Sequence, residues 1–114
     1  MSANRELLAA AYAGFKSRRL EEVLALMSLN VDWPNGQGGG REIGRDAVRA
    51  YWTRQWAAID PHVEPVGMKE RADGRVAVDV HQVVKDMEGN VLVDQMVVHV
   101  YRIDEGLIGR MDIE

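Results

Sequence analysis

Residues 76–101 read V-A-V-D-V-H-Q-V-V-K-D-M-E-G-N-V-L-V-D-Q-M-V-V-H-V-Y. On both sides of M-E-G the pattern alternates with period two, which predicts a hairpin with two distinct faces. A three-residue loop suits D-M-E-G-N: a type I turn over Met87 and Glu88, with Gly89 in the left-handed position of a bulge. That loop pairs Asp86 with Asn90 and sets the register behind it. Val84 then opposes Leu92, Val80 opposes Met96, Val78 opposes Val98 and Val76 opposes Val100. This face is almost wholly apolar. The other carries Ala77, Asp79, His81 and Val83 against His99, Val97, Gln95 and Val93, with Tyr101 beyond. Polar groups on a buried sheet face need partners, so this second face is expected either to meet solvent or to line a cavity. A two-residue turn at Glu88 and Gly89 would shift the pairing by one and put His81 and His99 on opposite faces.

The chain around the hairpin has 114 residues, the size of a single domain spanning 1–114. Folding at this length buries about two thirds of the chain's surface, enough for one core. The net charge is −4, which argues against nucleic acid or an anionic membrane as partner. There is no cysteine, hence no disulfide frame and no thiol nucleophile. The start M-S-A-N-R-E lacks the basic and apolar regions of a signal peptide, and no stretch approaches the roughly 20 apolar residues of a membrane span. A cytoplasmic protein is the simplest expectation.

Upstream, residues 4–16 carry Leu7, Leu8, Ala11, Tyr12 and Phe15 on one helical stripe. Asn4 suits the N-cap, and Lys16, Arg18 and Arg19 read as a solvated helix end. Residues 20–27 make a second short helix with Leu20, Val23, Leu24 and Met27 inward. Residues 30–34, N-V-D-W-P, read as a short strand with Trp33 on one side and Asp32 on the other, ended by Pro34. The glycine-rich run N-G-Q-G-G-G-R-E-I-G over 35–44 fails both phosphate-loop and dinucleotide patterns. It is expected to be a mobile flap. Residues 45–59 form a third helix with Val48, Tyr51, Trp52, Gln55, Trp56 and Ile59 on one face, stopped by Pro61. Beyond it lies a strand over 62–71 interrupted by Pro65 and Gly67, then the hairpin, then a strand over 107–113. A three-residue turn D-E-G would set His99 opposite Met111 and Val97 opposite Ile113. The expected order is three helices followed by a four-stranded antiparallel meander, an α+β fold.

Helix, short helix, D-W-P-N-G strand, glycine loop, G-R-D-A-V-R-A-Y-W helix and a meander ending D-E-G-L-I-G-R-M-D-I together resemble the nuclear transport factor two-like superfamily. The nearest branches are the SnoaL-like polyketide cyclases and the ketosteroid isomerases. The resemblance implies a cone: a curved antiparallel sheet wrapped around three N-terminal helices, the cystatin-like α+β roll. It also implies a pocket on the concave face and a homodimer packed through the convex face. In that mapping Val76, Val78, Val80, Met96, Val98 and Val100 are convex, where so large an apolar patch calls for a second subunit. The isomerase residues do not carry over. The base aspartate falls on Trp33, the oxyanion tyrosine on Ala11 next to Tyr12, and the protonated strand aspartate on His99.

The candidate catalytic residues are His81, His99 and Asp79. An aspartate beside two imidazoles holds one in a chosen tautomer and raises its pKa. Tyr12, Gln95 and Tyr101 are expected to supply hydrogen bonds to a small hydrophobic molecule, and Trp33, Trp52, Trp56, Val97 and Met111 the walls. No cofactor or metal is expected, although Asp79, His81 and His99 could converge on one. Two functions fit: a cofactor-free isomerase, cyclase or hydrolase, or a non-catalytic module that binds a hydrophobic ligand or serves dimerisation.

Overall fold

The computed structural model describes residues 3–36 and 38–114. The elements run α1 (Ala3–Lys16), α2 (Leu20–Leu24), β1 (Met27–Pro34), β2 (Arg41–Ile43), α3 (Arg45–Ala58), β3 (Asp60–Glu70), β4 (Val76–Lys85), β5 (Val91–Asp104) and β6 (Leu107–Ile113). The fold is α+β, with the helices packed on one face of a curved sheet. That sheet has six strands in the order β2-β1-β6-β5-β4-β3. The expected meander of four strands is there, extended at one side. β1 pairs parallel to β6, and β2 folds back antiparallel onto β1. The glycine-rich run is therefore the β1–β2 connection rather than a free flap. Asn35 accepts at its carbonyl from Gly39 N–H and donates to the Gly40 carbonyl, both at 3.1 Å. Gln37 lies outside the described residues.

Two local readings shift. Helix α1 begins at Ala3, so Asn4 sits inside its first turn instead of capping it. Helix α2 stops at Leu24, and Met27 opens β1 while still packing fully buried in the core.

The central hairpin departs from its expected register for a definite reason. The loop forms as read: Asp86 N–H donates to Asn90 O at 2.9 Å, and Gly89 takes φ 90°. Lys85 then pairs with Val91, but Val84 pairs with Val93. Leu92 is an extra residue, a β-bulge, and beyond it every pairing moves by one. Val78 opposes His99, Val80 opposes Val97 and Gln82 opposes Gln95. One inserted residue exchanges the faces of a strand. Val76, Val78 and Val80 are fully buried in the core rather than convex. Asp79 and His81 lie on the outer face.

Two more bulges act along the same sheet. Val66 is the extra residue between Pro65 and Gly67 of β3. Gly109 is the extra residue of β6, where Arg102 pairs with Arg110 but Ile103 with Ile108. The turn before it is a two-residue type I′ turn, with positive φ at Glu105 (52°) and Gly106 (80°). The bulge restores the parity that the short turn removes, so His99 opposes Ile113 and Tyr101 opposes Met111. These pairings stand two residues from those expected, yet on the same face. Bulges bend the strands that carry them, and three of them curve this sheet around the helices. Among the described residues no helix is long and apolar enough to cross a membrane.

Candidate functional site

A cavity of about 290 Å³ opens between the helices and the concave face. Helix α1 supplies Tyr12 and Phe15 through the stripe that buries Leu8 and Ala11. Helix α3 supplies Tyr51, Trp52 and Gln55 from its buried side. The odd-numbered residues of β5 and β6 supply Val93, Gln95, His99, Tyr101, Met111 and Ile113. After the bulge, the even-numbered residues of β4 supply Gln82 and Val84.

Three side chains meet at the deep end. Tyr101 Oη donates to Tyr12 Oη at 2.8 Å, and Tyr12 Oη lies 2.8 Å from His99 Nδ1. All three residues are buried. Since Tyr12 Oη already accepts from Tyr101, its own proton is the one available to His99. Nδ1 is then the acceptor, and the neutral ring carries its proton on Nε2. Burial favours that neutral form and holds the His99 pKa down at about 4. Burial also pushes both phenols well above their ordinary range, Tyr12 further because Tyr101 adds to it. Tyr12 and His99 stack at 10° between planes, and Tyr101 meets Tyr12 edge-on.

The wall beside this chain is an aromatic ladder. Trp33 packs edge-on against Trp52 at 5.3 Å, Trp52 stacks on Trp56 at 5.7 Å, and Phe15 touches both Trp52 and Trp56. Arg18 closes its outer end, with its guanidinium 5.0 Å from the Trp56 ring. Arg18 also donates to Asp60 at 2.6 Å and to the Pro61 carbonyl at 2.8 Å. Toward the mouth the polar groups are amides. Gln95 Nε2 donates to Gln82 Oε1 at 3.0 Å, and Gln55 Nε2 donates to Tyr51 Oη at 3.1 Å. Tyr51 Oη also accepts from Gly36 N–H at 3.1 Å, which ties the β1–β2 connection to α3. Among the described residues no Asp, Glu, Lys or Arg lines the cavity.

The sequence-predicted residues divide accordingly. Tyr12, Trp33, Trp52, Gln95, His99, Tyr101 and Met111 line the cavity. Trp56 and Val97 pack against the core without lining it, and Trp56 Nε1 is buried without a hydrogen-bond partner among the described residues. His81 and Asp79 are corrected outright: the Leu92 bulge turns them outward. His81 Nε2 pairs there with Asp94 Oδ1 at 2.7 Å, with both side chains exposed. No carboxylate therefore raises the His99 pKa, and burial lowers it instead. The three candidate ligands for a metal are split between two faces, and among the described residues no cluster of three or more metal-ligating side chains occurs. Asp32 faces outward as expected, bound to Arg41 at 2.6 Å and Arg110 at 2.8 Å. Gln82 and Gln55 were not singled out. Gln82 needed the bulge to be placed, whereas Gln55 already stood on the aromatic stripe of its helix.

The family model described as SnoaL-like domain matches residues 8–111. Three solved structures are similar across nearly the whole chain. TerC, co-crystallised with polyporic acid, is 28% identical with a TM-score of 0.86, covering 99% of this chain and 91% of that one. An NTF2-like protein of unknown function from Burkholderia pseudomallei K96243 is 26% identical with a TM-score of 0.87, covering 100% and 91%. A Mycobacterium tuberculosis protein in complex with estradiol-17beta-hemisuccinate shares the fold at 22% identity and a TM-score of 0.83, covering 97% and 92%. Among curated proteins none matches significantly.

Proposed function

The chain belongs to the SnoaL-like domain family, and from that premise we propose that it binds a small apolar molecule in its cone and polarises a carbonyl oxygen of that molecule with His99. The observation that carries this reading is the buried Tyr101–Tyr12–His99 chain in a cavity that no charged side chain lines among the described residues. Two neighbours crystallised with small-molecule ligands support the binding half. With Nδ1 committed to Tyr12, Nε2–H is the donor left for a ligand. A neutral imidazole donating into a largely apolar site stabilises charge that develops on oxygen during enolisation, with the α-proton passing to water at the cavity mouth. The two phenols hold the ring and its tautomer in place. This supports cofactor-free isomerase, cyclase or hydrolase chemistry.

One observation favours a second reading. Among the described residues no carboxylate lines the cavity, so none of their side chains stands ready to take the proton that isomerisation or cyclisation removes. In that reading the protein is a non-catalytic carrier and His99 is an anchor. α-Tetralone, an uncharged aromatic ketone with exchangeable α-protons, separates the two. Calorimetry reads its binding, and NMR in heavy water reads its α-exchange. Faster exchange with wild type, lost in His99→Leu, supports the catalytic reading. Binding without faster exchange supports the carrier. No binding overturns both.

For assembly we propose a homodimer through the convex face, supported there by exposed Met96, together with the exposed bulge residues Val66 and Leu92. Sedimentation equilibrium of wild type against Met96→Glu tests it. An unchanged monomer mass in both sinks it.

A further inference from the structure

We infer that the cavity selects an uncharged, elongated ligand with a hydrogen-bonding group at each end, and that Gln82 and Gln95 are the residues that read the outer end. The inference rests on the ligand-binding reading above and adds a second recognition point to it. Gln82 and Gln95 are directly paired across β4 and β5, and both line the cavity. Their mutual bond uses one N–H of Gln95 and the carbonyl of Gln82. A side-chain amide has two N–H donors and one carbonyl acceptor. What remains for a ligand is therefore the Gln82 NH₂ and the second Gln95 N–H as donors, with the Gln95 carbonyl as the acceptor the pair leaves unused. A hydroxyl or carboxamide, which both gives and takes, satisfies this pair. A carboxylate fits less well: it only accepts, so it leaves the Gln95 carbonyl without a donor, and among the described residues no cation lines the cavity to pair with it.

His99 and Gln95 stand four residues apart on β5, roughly 13 Å between Cα positions. His99 is 6% exposed, whereas Gln95 is exposed to solvent. The deep end thus offers a donor to an acceptor oxygen, the outer end a donor–acceptor pair, and the space between is aromatic and aliphatic.

Four probes of one shape test this by calorimetry: biphenyl, biphenyl-4-ol, biphenyl-4,4′-diol and 4′-hydroxybiphenyl-4-carboxylate. Wild type is expected to bind the diol about tenfold more tightly than the mono-ol, and the carboxylate at least about tenfold more weakly than the diol. That ranking needs no variant. In Gln82→Leu/Gln95→Leu the advantage of diol over mono-ol is expected to vanish. Equal binding of diol and mono-ol by wild type, equal binding of the carboxylate, or a diol preference that survives the double substitution overturns this inference and leaves the cavity reading standing. If none of the four binds, both fall.

Discussion

The His99 imidazole is neutral because it is buried and, among the described residues, no carboxylate lines its cavity. Its folded-state pKa of about 4 lies below its ordinary 6.5, so the unfolded chain takes up the proton first. The stability this contributes is present above about pH 6.5 and is lost as pH falls toward 4. The total is on the order of 3 kcal/mol. Urea melts of wild type and His99→Gln across this range are expected to converge toward the acid end. Parallel curves would show that His99 titrates normally. The Tyr12 hydroxyl serves both neighbours, accepting from Tyr101 and giving to His99. Tyr12→Phe strands two buried polar groups and is expected to cost about 1–3 kcal/mol. In that variant the ¹⁵N shift of Nδ1 should lose its hydrogen-bonded character. Burial of Tyr12, Tyr101 and His99 was legible in the period-two and helical stripes. Their mutual bonding was not, because it depends on where a helix seats over a sheet.

Among the elements, the β4–β5 hairpin shows what a sequence pattern leaves open. Loop type, strand extent and the alternation of both arms were readable from residues 76–101. The Leu92 bulge was not, because V-L-V offers no glycine or proline to mark it and the choice is made by packing. With Leu92 bulged, Val76, Val78 and Val80 enter the core. Without it, Asp79 and His81 would have to. Deleting Leu92 therefore sets the loop against the core, and the expected result is loss of cooperative unfolding by circular dichroism. A deletion variant that melts like wild type would show the bulge to be dispensable. Two glycines give a graded contrast. A Cβ on Gly14 of α1 would stand 2.5 Å from Cγ2 of the fully buried, branched Val23. Gly14→Ala is expected to lose about 1–2 kcal/mol, since overpacking exceeds the gain in helix propensity. At Gly109 the clash is with the Asp104 carboxylate, the free end of an exposed ion pair with Arg102. That group can swing away, and Gly109→Ala should stay within about 1 kcal/mol in urea melts.

Across the whole molecule, the sheet extends past the meander through β1, whose one neighbour within it is the parallel strand β6. Charged side chains on the outer face hold that junction. Arg41 binds Asp32 and Asp112 while donating to the Asp32 and Met111 carbonyls, and Arg110 binds the same two aspartates. One guanidinium thus links β1 and β6 from β2. Arg41→Met is expected to destabilise by about 1–3 kcal/mol, and hydrogen exchange should quicken first in β1 and β2. Uniform exchange would place the junction's strength elsewhere. The sequence could not announce this arrangement, because its partners lie up to 78 residues apart.

All three tryptophans of the chain stand in the one ladder that runs from the cavity wall to Arg18. Trp33 and Trp52 face the cavity, while Trp56 is stacked behind Trp52 with 26° between their planes. Indoles this close share their electronic transitions, so the protein's own optical spectrum carries an exciton signature with no tryptophan elsewhere to dilute it. An occupant resting against Trp33 and Trp52 perturbs that coupling directly. The fold thereby contains its own occupancy gauge, and unlabelled protein can be screened against compound collections by light alone.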